Sequence, residues 1–160
     1  MDYYKIALEA LYKLLNETGE TFWADWILKD IKLWEQNKSK EHHLSAYGGM
    51  GSFNDLVICV QNKHNVTKKQ EPWVNTLLMH LQSLSIFIAK SKDINMKSIE
   101  DNLQCHPSKI QGTRCLSCGY SELSLTNIDG FIAPKIVSDG IAKSLQNEKL
   151  IDVYDKLKLP

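Results

Sequence analysis

Apolar residues recur at helical spacing along most of this chain. Tyr4, Leu8, Leu11 and Leu15 share one stripe, widened by Ala7 and Leu14, and predict a helix over residues 3–16. Lys5, Glu9 and Lys13 stand four residues apart on its wet side, and Gly19 follows as a stop. A second helix is predicted over 21–36, capped by Thr21, with Trp23, Trp26, Ile27, Ile31 and Trp34 as its apolar face. The short link implies an antiparallel pair. Residues 37–41 are polar and read as loop. Ser52 and Asp55 have capping-box spacing, and Phe53, Leu56, Val57 and Val60 fit a helix over 53–62. The run Leu56–Val60 also favours β structure, so a short strand is the alternative there.

Residues 63–70 form a basic loop. Pro72 suits a first helical position, and the pattern then continues to residue 90. Trp73, Leu77, Leu81, Leu84 and Ile88 mark one face of this helix, with Val74, Leu78 and Phe87 beside it, so it should be the central helix of the core. Ile99 and Leu103 predict a short helix before a Cys-, Gly- and Ser-rich stretch over 105–127, which reads as irregular with a small hairpin. Pro134 opens helical periodicity reaching residue 157. There Ile136, Val137, Ile141 and Leu145 point inward first, and Leu150, Ile151, Tyr154 and Leu157 follow. The expected fold is mainly α: one helical bundle over 1–160 with an irregular Cys-bearing segment. In the alternative division, residues 92–160 form a C-terminal subdomain.

Composition narrows the function classes. With 160 residues, 43% hydrophobic and 24% charged, the chain matches an ordinary globular domain. Its formal net charge of zero argues against a general binder of nucleic acid or anionic membrane. The charge is uneven, however. Residues 1–37 hold seven acids against four lysines, and residues 38–70 hold five lysines against two acids. Arg114 is the lone arginine, so bidentate recognition of phosphate or carboxylate is almost absent. The predominance of Lys, Ile and Asn points to an AT-rich gene. No segment has the apolar length of a membrane span, and no basic region precedes an apolar core at the start. The expected location is therefore the cytoplasm, with Cys59, Cys105, Cys115 and Cys118 reduced.

Candidate chemistry gathers at two places. Gly48, Gly49, Met50, Gly51 and Ser52 precede a predicted helix and could cradle a phosphate. No Gly-Lys-Ser/Thr follows, and the dinucleotide glycine spacing is missing. His42 or His43 with Asp55 or Asn54 would make a base and its orienter, with Ser45, Ser52 or a distant Cys as nucleophile. Nothing in the sequence fixes that geometry. Adjacent histidines in a strand would also face opposite ways, which suits a metal pair poorly. No catalytic residue is assigned, and the chain is read as non-enzymatic. Gly48, Gly49, Gly51, Ser52, Asn54 and Asp55 are read as a packed structural corner. The second place is Cys115-Leu116-Ser117-Cys118-Gly119, a C-x-x-C-G knuckle with Cys105 and His106 upstream. Zinc on Cys105, Cys115 and Cys118 would need a fourth ligand, so no metal or other cofactor is assigned. Trp23, Trp26, Trp34, Tyr47 and Trp73 are either core or an aromatic docking surface.

The string LSAYGGMGSFND over Leu44–Asp55, continued by Leu56 and preceded by a Trp-rich helix, resembles an uncharacterised family of small bacterial cytoplasmic proteins. That family looks like the immunity proteins of polymorphic and contact-dependent growth inhibition toxin systems. The resemblance covers about residues 20–60. It implies a protein partner, a cognate toxin, bound and blocked without catalysis and without direct contact to nucleic acid or membrane. Against a basic nuclease cleft the local acids are Glu17, Glu20, Asp25, Asp30 and Glu35. The expected partner-facing residues are Glu17, Glu20, Asp25, Trp26, Asp30 and Tyr47. A small-ligand module or enzyme using the Gly48–Asp55 loop, and a zinc-stabilised interaction module, are the alternatives.

Overall fold

The computed structural model describes residues 1–103, 110–111, 114–115, 129–147 and 155, with side chains over 1–103, 137–147 and at 155. The described chain is mainly helical, as its periodicity predicts. Helix α1 spans Tyr3–Glu17 and α2 spans Thr21–Asn37. Between them Gly19 takes a φ of +78°, and the Glu20 N–H returns to Leu15 O at 2.9 Å. This left-handed turn closes α1 and sends α2 back along it. The cap of α2 is Glu20, not Thr21; its carboxylate accepts the Trp23 N–H at 3.5 Å, and Thr21 becomes the first helical residue. Helix α3 is a single turn, Glu41–Leu44.

Helix α4, Glu71–Lys90, is the centre of the core. Val74, Leu77, Leu78, Leu81 and Leu84 are all fully buried. Burying each such side chain stabilises the fold by about 1.5–3 kcal/mol. Helix α4 packs against α1, α5 (Met96–Leu103) and α6 (Asp129–Gln146), and α1 also packs on α2. Helix α6 begins at Asp129 rather than Pro134. Proline's preference for a helix start did not mark this boundary. Ile110–Gln111 (β1) pairs antiparallel with Arg114–Cys115 (β2), a minimal hairpin inside the Cys-rich stretch. The expected helical continuation with Leu150, Ile151, Tyr154 and Leu157 lies outside the described residues.

The predicted helix over 53–62 does not form. Phe53–Asp55 and Val60–Asn62 are single 3-10 turns, and the chain between them is extended. Side chains of α4 supply its hydrogen bonds in place of a helical ladder. Asn75 accepts the Ile58 N–H and donates to Ile58 O, both at 2.8 Å, while Glu71 accepts the Val60 N–H at 2.9 Å. Asn75 thus acts as a one-residue strand partner for a β-favouring run. The capping box fails too: Ser52 donates to Asn54 Oδ1, and Asp55 takes the Gly51 N–H at 2.9 Å.

Asn75→Ala would leave the Ile58 N–H and C=O without partners in a buried place. The expected cost is about 1–3 kcal/mol in denaturant unfolding, with faster hydrogen exchange at the Ile58 amide than at the α4 amides. Unchanged exchange at Ile58 would show that the clamp contributes nothing.

Candidate interaction site

Residues 41–58 make a corner against α2 and α4, and a buried carboxylate positions it. Asp30 stands on the inward stripe of α2 with Ile27 and Ile31 and is 2% exposed. Both of its oxygens meet α3: His42 Nδ1 lies 2.5 Å from Oδ1, and His43 Nδ1 lies 2.8 Å from Oδ2. One helical turn therefore brings adjacent histidines onto one carboxylate, where a strand would have split them. The His43 ring is itself buried, with Nε2 at 3.0 Å from Ser85 Oγ on α4. Ser85 also donates to Gln82 O at 2.9 Å, and the Tyr47 hydroxyl lies 3.5 Å from Ser85 Oγ.

Ser85, His43 and Asp30 share the connectivity of an acyl-transfer triad. Their burial decides what they do. Ser85 is 0% exposed in mid-helix, so no substrate carbonyl reaches its Oγ in this conformation. The cluster ties α2, α3 and α4 together through charge-assisted hydrogen bonds. The earlier candidates Ser45, Ser52, Asn54 and Asp55 are not joined to it. Ser45 donates to His42 O at 2.7 Å, and the other three bond within their own loop.

The glycine tip departs from the packed corner expected of it. Gly48, Gly49 and Gly51 have φ of +98°, +86° and +74°, the region glycine reaches without steric cost. A Cβ at any of the three would meet nothing within 4 Å, and Met50 is fully exposed. The glycines therefore serve chain direction, not close approach. Packing is confined to the flanks. Phe53 is fully buried, stacks on Trp23 at a centroid distance of 4.8 Å, and gives its carbonyl to Gln82 Nε2 at 2.8 Å. The Phe53 N–H closes the loop on Ala46 O at 2.8 Å. As a phosphate cradle the loop is compromised. Asp55 already takes the Gly51 N–H and sets a negative charge where an anion would sit.

The expected partner-facing residues do not share one environment. Asp30 and Tyr47 belong to the internal network and cannot offer an acid or a phenol to a partner. Glu20 caps α2 and accepts His64 Nε2–H at 2.8 Å, while Glu17 pairs with Lys13 at 3.1 Å and Glu35 with Lys5 at 2.6 Å. Trp26 is half-buried, stacks on His42 at 4.3 Å, and keeps its indole N–H buried with no hydrogen-bond partner among the described residues. Trp34 packs on Tyr4 and donates to Asp2 at 2.7 Å. Asp25 remains exposed on α2. Phe22, one turn earlier and 63% exposed, was missed by the periodicity because it lies off the inward stripe. It caps an aromatic series, touching Trp23 at 5.0 Å and Trp26 at 6.3 Å.

Charge completes the corner. Residues 14–28 and 41–62 contain no lysine or arginine in a chain that has 19 such residues, yet they hold Glu17, Glu20, Asp25, Glu41 and Asp55. Among these, Asp25, Glu41 and Asp55 are exposed. The two segments that carry Phe22 and Met50 thus combine exposed apolar and acidic side chains and contain no lysine or arginine of their own. The zinc candidates Cys105 and Cys118, with His106, lie outside the described residues; for Cys115 only the backbone is described, in β2. Among the described residues no group of His, Cys, Asp and Glu is arranged to hold a metal. No helix among the described residues is long and apolar enough to cross a membrane.

A family model described as a domain of unknown function, DUF6966, matches residues 16–67. The match runs from the end of α1 through α2 and the corner to the basic loop. No curated protein and no solved structure matches the chain.

Burial raises the Tyr47 hydroxyl well above the ordinary tyrosine range, and the Asp30 charge raises it further against a lowering by the Ser85 bond. Tyr4 is raised likewise, first by burial and then by Asp30. Each phenol keeps its proton in the folded state while the unfolded chain ionises near about pH 10. The linked stability is present below that pH and is lost as pH rises above it. Unfolding free energy should accordingly fall above about pH 10 and fall less in Tyr47→Phe; an identical alkaline loss in the variant would refute the assignment. Asp30→Leu, which leaves two imidazole N–H groups unpaired, should cost about 3–5 kcal/mol by denaturant titration at pH 7.

Proposed function

We propose that the chain is an immunity protein that binds a cognate toxin in the cytoplasm and blocks it by steric occlusion, without catalysis. The observation that carries this reading is the corner itself. An exposed phenyl, an exposed methionine and three exposed acids stand on a frame fixed to α4, with no basic side chain in the two segments that build it. Aromatic and thioether groups are favoured interface anchors, and an acidic rim speeds encounter with a cationic surface. A nuclease cleft is such a surface, because it must attract phosphate. The resemblance around LSAYGGMGSFND supplies the toxin as partner, and the corner supplies a physical means of meeting it. Asp25, Glu41 and Asp55 take the role that Asp30 cannot fill.

Co-expression with the toxin domain encoded beside the gene is the test. The expected outcome is a stable complex on gel filtration and survival of cells expressing both. Asp25→Lys should slow association by roughly tenfold at low salt, with less effect at high salt. A toxin that neither co-elutes with the chain nor loses activity on adding it would overturn the proposal.

A further inference from the structure

We infer that Met50 is the anchor of this interface and enters an apolar pocket on the toxin whose rim is cationic. The inference rests on the toxin-binding reading and adds the group that enters and the chemistry that receives it. Three observations converge on it. First, Met50 is fully exposed, and the glycines on either side are clear of the body of the protein. A pocket could enclose the whole side chain without moving α2 or α4. Second, the loop is held at both ends. Ala46 and Phe53 are buried and joined by a 2.8 Å backbone hydrogen bond, and Gly51 is tied to Asp55 at 2.9 Å. The tip therefore has little freedom to lose on binding beyond its own three glycines. Third, the charge bonded to the tip is an acid, and the segment that carries the tip supplies no basic side chain. Asp55 is four residues from Gly51 and bonded to it, Glu41 opens α3, and lysine and arginine are absent from 41–62.

An unbranched thioether fills an irregular apolar pocket readily, and acids around it complement a basic rim. The same acids repel an anionic membrane, the other surface that accepts an exposed methionine. They also disfavour a second copy of this corner, whose acids would face like charge.

Calorimetric titration of the full chain into the purified toxin domain tests the inference. Met50 touches nothing, so Met50→Ala and Met50→Leu should both keep the wild-type thermal midpoint. Met50→Ala is expected to weaken binding by about tenfold or more, and Met50→Leu by less than about threefold. Wild-type affinity in Met50→Ala would overturn the anchor and leave the toxin reading standing. Absence of binding by the wild-type chain would overturn both. Vesicles of phosphatidylglycerol that retain the wild type but not Met50→Ala would assign the tip to a membrane. A concentration-dependent dimer lost in Met50→Ala would assign it to a second copy. Either result would overturn the proposal.

Discussion

A carboxylate removed from water depends on its partners, and the arrangement of this corner depends on one such carboxylate. Asp30 receives an imidazole nitrogen on each oxygen, both from consecutive residues of a single helical turn. Half of that arrangement would leave a buried charge under-satisfied, which is far more costly than an exposed unpaired acid. The orientation of α3 is therefore set by α2, and His43 passes the constraint to α4 through Ser85. Three helices agree on one geometry because one acid sits among them. The direction in which the chain leaves α3 toward the glycines follows from it.

Beyond α3 the backbone has almost no ladder of its own, yet its amides are served. Gln82 holds Phe53, Asn75 holds Ile58, Glu71 holds Val60, and His64 Nδ1 accepts the Cys59 N–H at 3.0 Å. The Asn65 N–H reaches Thr18 O at 2.8 Å, which docks the far end of the segment on the α1–α2 turn. Most of these holding groups lie on helices that are stable for other reasons. An irregular segment of this kind inherits the rigidity of the core beneath it. Its conformation is specified by side-chain amides and carboxylates spaced along α4, a device with no hydrophobic period.

Legibility in the sequence followed the same division. Helices α1, α2 and α4 each carry a long apolar stripe, and the stripe alone placed them within a residue or so. Residues 53–62 misled because Phe53, Leu56, Val57 and Val60 also fall at helical spacing, while the groups that hold the segment extended lie in α4. At the corner, the histidine pair and the glycines were visible as unusual, but their partners were not. Asp30 and Ser85 did leave a trace, since each is a polar residue on an otherwise inward stripe. An acid among Ile27, Ile31 and Trp34 is a signal for a buried partner. Counted only by charge and sign, Asp30 is indistinguishable from the surface acids; its position on the stripe is what sets it apart. Phe22 is the opposite case, an aromatic off the stripe.

The isolation of Met50 from the rest of the molecule bears on how such a protein changes over time. A side chain that touches nothing can be exchanged with no penalty to folding. The three left-handed glycines beside it cannot, because any Cβ there is strained. The frame is therefore held fixed by conformation and the tip is held by nothing but what it meets. The sequence can drift at Met50 while stability stays constant, so a change of side chain there would need no compensating change in the core.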